Sequence, residues 1–430
     1  MSTELAVRLF LSAYEDDVAE GAMIVGDIHA TDPSGQSRRG IVIPCGSRPE
    51  PKMYKVPPGR YVVSATLPSG LVLTEEVEAV ADETTPVILD LTDSPYESHS
   101  WQYLMGNIEL GRVYHDTAEM APAISPGSRS MAAPPPGPDG VIPESTADRT
   151  VTATWIDAPL SSWTFPALLA AAEDESDFPL AELMARTPPV VLTPDVLNDP
   201  LSPLYRIDHK GPVGAPDSGP RGRQFLAVEV AGSLRLVTLP LPWGDAQAEV
   251  LVNARQSPTG SAVAVTVRDP LHGAALAYMA QGALTTAAAL FDDMEPLFHD
   301  RSHPLAAVAG AYVLLGTDHR DGERDWDPWL ERLAVQAPAW LSDAAVLRAV
   351  RLLRLSRSAD DRAGAREALV AAFDRGVPFY TLGLTWLIDA LAAFPDDEEC
   401  VSRLDRARRL SWLADTREPF LILDLGEGRA

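Results

Sequence analysis

The sequence predicts a multidomain α+β protein with an N-terminal β-sandwich, a second β-rich segment and a C-terminal α-helical repeat array. Three observations carry this expectation. Apolar residues alternate with period two, between turn residues, through the first quarter of the chain. Proline, glycine and serine then break the pattern, and strand-like alternation resumes. After Asp269-Pro270 the apolar period becomes helical and stays so. At 430 residues the chain is too long for one ordinary hydrophobic core and suits several domains. The expected boundaries are 1–92 for the sandwich, 93–149 for a Pro/Gly/Ser-rich linker, 150–269 for the β-rich segment with an irregular insert, and 270–430 for helical hairpins.

Within the first region, Leu5, Val7, Leu9 and Leu11 alternate with Ala6, Arg8 and Phe10, which places one set on a core face. Pro57-Pro58-Gly59 predicts a turn, Arg60 to Leu67 a strand, Pro68-Ser69-Gly70 a second turn and Leu71 to Val80 the returning strand. Val87 to Leu91 adds another. The run Ala132-Ala133-Pro134-Pro135-Pro136-Gly137-Pro138 can neither hold a helix nor donate to a central strand, so Ala121 to Pro143 is expected as a flexible connection. Strands are predicted again at Thr150 to Ile156, Gln224 to Val230, Leu234 to Leu239, Glu249 to Asn253 and Ala262 to Val267. A proline-rich interval, Thr187 to Pro220, interrupts them.

Helices are predicted at Leu271 to Phe298 with a break near Gly282, then Pro304 to Leu315, Pro328 to Gln336, Asp343 to Arg357, Asp361 to Arg375, Tyr380 to Phe394 and Glu398 to Ala414. Ser342-Asp343 can accept the free amides of a first turn, and Pro304 and Pro328 suit a first helical position. Gly316 and Gly376 suit helix ends. The starts at Pro304, Ser342 and Phe379 recur at the spacing of helical-hairpin repeats.

The stretch Pro58-Gly59-Arg60-Tyr61-Val62-Val63 followed by Leu67-Pro68-Ser69-Gly70 resembles the transthyretin-like or carboxypeptidase-regulatory-like β-sandwiches. That resemblance implies a small binding or spacing module. The helical part is similar to tetratricopeptide-like repeats, with small residues Ala306, Ala307, Gly310, Ala363 and Ala368 at close approaches, although the full repeat signature is absent. It also resembles helical segments of bacterial proteins that accompany caspase-like or CHAT peptidases in defence gene clusters, which implies such a peptidase as a partner.

Composition narrows the function classes. A formal net charge of −26 opposes wrapping of nucleic acid or docking on an anionic membrane, because both need a basic stripe that displaces counterions. Lysine occurs only at Lys52, Lys55 and Lys210, so arginine carries nearly all the positive charge, as codon usage in a high-GC bacterial genome would produce. Two distant cysteines, Cys45 and Cys400, provide no disulfide framework and suggest a reducing cytosol. Met1 to Glu15 lacks a secretory leader pattern, and Val377 to Phe394, the longest apolar window, is interrupted by Pro378, Gly383 and Asp389; a cytoplasmic protein is the expectation.

Reactive constellations are weak. His299 and His303 have the spacing of a zinc pair, but Pro304 follows at once and a loop is expected there. Asp318 to Asp327 is acidic without the ligand alternation of a calcium loop. No phosphate loop, dinucleotide fingerprint or nucleophile elbow occurs, and Cys45 has no histidine fixed beside it by pattern. No catalytic residue, metal or cofactor is expected. Arg348, Arg351, Arg354 and Arg357, and the cluster Arg403, Arg406, Arg408 and Arg409, are expected on salt-bridged solvated faces. Arg348, Arg351, Trp326 and Trp329 are the candidates for partner contact. The predicted function is a non-enzymatic cytosolic interaction scaffold or adaptor whose pieces are joined flexibly. The alternative is a substrate or inhibitor of an arginine-directed, caspase-like peptidase, cut at Arg129, Arg221 or Arg223 in exposed linkers.

Overall fold

The structure is a computed structural model, and it describes residues 3–11, 21–32, 35–91, 100–107, 151–159, 163–173, 190–194, 203–207, 222–230, 233–244, 246–252, 262–270, 272–291, 304–317, 327–338, 340–355 and 358–427. It is a mixed α+β architecture, β-rich in its first part and helical in its last. The connection expected at 121–143 lies outside the described residues.

The first part is one seven-stranded sheet built from β1 (Glu4–Phe10), β2 (Ala22–Ala30), β3 (Arg38–Gly46), β4 (Lys52–Lys55), β5 (Gly59–Thr66), β6 (Val72–Ala79) and β7 (Thr84–Asp90). The order is β4-β1-β3-β2-β5-β6, with β7 on β1. The alternation in β1 points Leu5, Val7 and Leu9 inward, all fully buried. β1 runs parallel to β7, antiparallel to β4, and touches β3 in parallel only through Leu9 opposite Cys45 and Phe10 opposite Gly46. The β5–β6 hairpin lies where its turn residues place it, Thr66 opposite Val72. Gly26 inside β2 is required by crowding, since a Cβ there would stand 2.1 Å from the Ser64 carbonyl oxygen.

The second β segment does not extend this sheet. β8 (Thr152–Pro159), β9 (Val190–Val191), β11 (Gly222–Val230), β12 (Ser233–Thr238) and β15 (Ile422–Glu427) form an antiparallel sheet in the order β15-β12-β11-β8-β9. β10 (Leu204–Ile207), β13 (Ala248–Val252) and β14 (Val263–Val267) form a third. β15 corrects the expectation of helices to the end of the chain. The run from Phe420 to Leu423 is buried, and its strand adds to the edge of β12, Val237 opposite Ile422.

The helices are α1 (Ser100–Leu104), α2 (Phe165–Glu173), α3 (Gly273–Ala280), α4 (Leu284–Phe291), α5 (Pro304–Gly316), α6 (Asp327–Gln336), α7 (Ser342–Leu355), α8 (Ala359–Arg375), α9 (Thr381–Ala392) and α10 (Glu398–Ser411). The break between α3 and α4 falls at Gly282, whose φ of +73° a side chain would resist. α8 begins with a capping box in which the Ser358 hydroxyl accepts from Asp361 N–H and the Asp361 carboxylate accepts from Ser358 N–H. α7 packs on α8 and α9, and α9 packs on α10.

These parts are not independent. One apolar cluster runs from Leu5, Ile43 and Val63 in the first sheet through Val250 and Val265 in the third to Tyr278, Val308 and Ile422. Tyr278 on α3 makes the junction explicit: its hydroxyl donates to the Thr66 carbonyl and accepts from Val25 N–H at 3.4 Å. Burial raises its pKa well above that of an ordinary tyrosine. α1 is held in turn by Gln102, whose amide donates to Glu249 Oε2 at 2.7 Å and Thr266 Oγ1 at 3.0 Å. Arg206 and Arg268 each reach Glu249 Oε1 at 2.9 Å, so that buried carboxylate is paired twice. The flexibly joined pieces expected from the sequence are therefore, among the described residues, packed on shared apolar surface. Tyr278→Phe is expected to lower stability by about 1 kcal/mol, through the loss of hydrogen bonding to buried backbone, as read by denaturant unfolding.

Candidate interaction site

A second apolar cluster binds the β15-β12-β11-β8 sheet to α2 and to α7 through α10. Its outer margin is a groove of about 440 Å³ between the start of α2, the end of α8 and one side of α10. Phe373 of α8 forms the apolar floor, its ring stacked on Phe165 of α2 at 4.2 Å with an interplanar angle of 5°. Thr164 and Pro166 make one wall, and Ser402, Arg403 and Arg406 make the other.

Ion pairs fix α10 against α8. Arg366 of α8 donates to Asp397 at 2.5 Å and to Glu399 at 2.6 Å. Asp397 also accepts Cys400 N–H at 2.9 Å as the N-cap of α10. Arg403 spans Glu399 at 2.8 Å and Asp374 at 3.0 Å, with its guanidinium carbon 5.4 Å from the centre of the Phe373 ring. The hydrogen bonds from Arg366, and then that from Cys400 N–H, pull the Asp397 carboxyl down to about 2. This depressed carboxyl favours the folded state above the unfolded aspartate value of about 4, and the advantage disappears as pH falls through about 2. Asparagine keeps the cap but not the charge. The melting curves of wild type and Asp397→Asn are therefore expected to differ fully above about pH 4 and to converge towards pH 2.

Beyond the groove, the exposed face of α10 carries Val401, Asp405, Arg406, Arg408 and Arg409. Trp412 follows at the C-terminal end of the helix with 83% of its surface exposed. Arg406 and Arg408 have no ion-pair partner among the described residues.

Beneath this surface lies a buried polar joint. Arg223, in β11 and 2% exposed, is held between the rings of Trp163 and Phe379, its guanidinium carbon 3.5 Å from each centre. It donates to the carbonyls of Val377 at 2.6 Å and Pro378 at 2.9 Å and to Thr238 Oγ1 at 3.2 Å; Nε has no acceptor among the described residues. Burial pushes its pKa down, and the Asp343 carboxylate opposes that shift. Trp163 Nε1 donates to the same Val377 oxygen at 2.7 Å, and Val377 N–H returns to the Trp163 carbonyl at 3.1 Å. Gly376 permits the approach: its φ is +110°, and a Cβ would stand 2.5 Å from the Trp163 carbonyl oxygen. Asp343, fully buried in α7, accepts from Phe379 N–H at 2.8 Å, Tyr380 N–H at 3.3 Å and the Tyr312 hydroxyl at 2.9 Å. Burial raises its pKa against those hydrogen bonds. Rather than capping its own helix, Asp343 fixes the lead into α9.

Several expectations are corrected by these positions. An accessible cut at Arg223 is incompatible with its place in a strand between two rings. Trp329 is 6% exposed and packs inward, so it offers no partner contact. Arg351, half-buried, pairs with Glu331 of α6 at 2.9 Å, and Arg348, its side chain 42% exposed, reaches the same carboxylate at 3.4 Å, so both stand on a salt-bridged face. Arg129, Arg221, Trp326, His299 and His303 lie outside the described residues. Cys45 and His29 stand apart: Cys45 pairs with Ala22, and His29 is further along β2 by about 20 Å of strand. Sequence reasoning passed over His272, which is 1% exposed, with Nδ1 2.5 Å from Asp269 Oδ2 and Trp243 Nε1 donating to the same oxygen at 2.8 Å. His272 Nε2 has no partner among the described residues. Also among the described residues, no group of three or more His, Cys, Asp or Glu side chains is arranged to hold a metal ion, and no helix is long and apolar enough to cross a membrane.

Comparison with curated proteins and with solved structures gave no match. Residues 274–421, about a third of the chain, match the family model described as the Y4kD C-terminal domain; the match begins in α3 and ends just before β15, so it is the helical part that is similar to that family.

Proposed function

We propose that this chain is a non-enzymatic interaction scaffold or adaptor that works in the cytoplasm and presents its helical part to another protein. One observation carries the reading. The α10 face joins an open groove with an apolar floor to unpaired arginines and a tryptophan exposed over 83% of its surface. Tryptophan and arginine are the residues most enriched among those that dominate binding energy, and a lone exposed indole gains nothing for folding. The two cysteines, free and buried, suit a reducing compartment. A caspase-like or CHAT peptidase is a candidate partner on the strength of the sequence resemblance alone.

Affinity capture of the intact chain from its native host, with quantitative mass spectrometry, tests the reading. At least one protein is expected to copurify in near-stoichiometric amount and to be lost with Trp412→Ala. Recovery of the chain alone at native abundance overturns it.

A further inference from the structure

We propose that the α10 face and its groove bind an acidic polypeptide segment that also carries an apolar or aromatic side chain. This rests on the interaction reading and supplies the chemistry of the partner. At about 100° per residue, Ser402 and Arg406 border the groove, Arg409 and then the carboxylate Asp405 lie further round the exposed face, and Val401, Arg408 and Trp412 form the stripe beyond them. A segment crossing α10 from the groove would meet the Phe373 ring, then guanidinium groups, then the indole.

Charge complementarity selects the occupant. Arg403 is neutralised by Asp374 and Glu399, whereas Arg406 and Arg408 retain their full donor sets. These arginines stand in a chain of net charge −26, so a partner must be acidic in a short local patch to be drawn to them against the general field. A polyphosphate backbone fits poorly. Its charge is continuous, and it would run from the arginines onto Glu398 and Glu399 at the other end of the same helix and onto Asp374 of α8 across the groove. An acidic side chain can instead take the planar fork of one guanidinium while its apolar neighbour covers Phe373 or Trp412.

The test uses the full chain and a short fluorescein-labelled peptide alternating glutamate with leucine and phenylalanine, beside a counterpart with glutamine for glutamate. Fluorescence anisotropy is expected to show saturable binding of the glutamate peptide, at least about tenfold tighter than the glutamine one and weakening with salt. Arg406→Glu combined with Arg408→Glu is expected to lower affinity about tenfold, and Trp412→Ala about fivefold, with melting temperatures unchanged because all three side chains are exposed. Equal binding of the two peptides, binding indifferent to these substitutions, or displacement of the peptide by an oligothymidylate overturns the proposal. If acidic peptides fail while capture from the host still returns a partner lost with Trp412→Ala, acid recognition alone is wrong. If capture returns nothing, the interaction reading falls with it.

Discussion

Arg223→Ala is expected to destabilise the protein by about 3–5 kcal/mol, because the change strips a joint that nothing nearby can rebuild. The guanidinium fills a slot between Trp163 and Phe379 and serves three acceptors at once. Alanine leaves the Pro378 carbonyl and the Thr238 hydroxyl without that donor and opens a void between two rings. The Val377 carbonyl keeps Trp163 Nε1 and suffers less. Two further variants separate charge from shape. Arg223→Lys keeps the charge but cannot lie flat between the rings or donate as a planar fork, so it should recover little. Arg223→Met removes the charge while filling part of the slot, and it should cost less than alanine, since the desolvation of a buried cation disappears with it. Urea unfolding gives the ranking. An alanine variant within 1 kcal/mol of wild type would show that the joint contributes no net stability.

Asp343→Ala is expected to cost a similar amount by a different route. Its carboxylate is the acceptor for two backbone amides leading into α9 and for the Tyr312 hydroxyl, all in the dry interior. Tyr380, the N-cap of α9, has no side-chain cap of its own. Alanine strands three buried donors, each worth about 1 kcal/mol or more, and leaves Arg223 without its opposing charge. The pH dependence has a definite sign. Burial raises the folded-state pKa of Asp343 above its unfolded value, so the folded protein binds this proton more tightly. The group's contribution to stability therefore declines as pH rises from the unfolded value of about 4 through the folded one. Asp343→Asn removes that slope and retains one acceptor oxygen, so it should fall between wild type and alanine at neutral pH. Equal stability of Asp343→Ala and wild type in denaturant would remove the carboxylate from the account.

The same two residues show where sequence reading succeeds and where it stops. Helix and hairpin positions were legible because their causes are local. Prolines and glycines bracket β5 and β6, Gly282 splits α3 from α4, and Pro304, Ser342 and Gly376 mark helix ends within a residue or two. β2 and β3 escaped because Gly26 and Pro44 lie inside them, and both residue types argue against a strand unless the crowding across the sheet is known. β15 escaped because its partner, β12, is distant in the chain, although the alternation of Leu421, Leu423 and Leu425 was a usable signal. Arg223 follows Gly219, Pro220 and Gly222 and so looked like linker; no local pattern reveals that two rings from distant segments enclose it. Asp343 was placed correctly at the start of α7, and only the fold shows that its carboxylate serves the next hairpin. Of the proposed site, the arginines of α10 were visible as a cluster. Their division into Arg403, paired, and Arg406 and Arg408, unpaired, depends on Asp374 and Glu399, which only the packing of α8 on α10 brings near.

The N-terminal sheet packs in one apolar core with the second β segment and α3 to α5, and the β15-β12-β11-β8 sheet and α7 join that core to the cluster beneath α10. Chain composition offers a direct measurement, since all nine tryptophans lie beyond residue 100 and none is part of a strand of the N-terminal sheet. Ile43→Val, a fully buried change in β3, should cost about 1 kcal/mol. Followed by tryptophan fluorescence in urea, the variant is predicted to unfold in one transition whose midpoint is lower than that of wild type by the corresponding amount. A fluorescence transition that stays where it was, while far-ultraviolet circular dichroism shows the sheet melting earlier, would contradict the shared core.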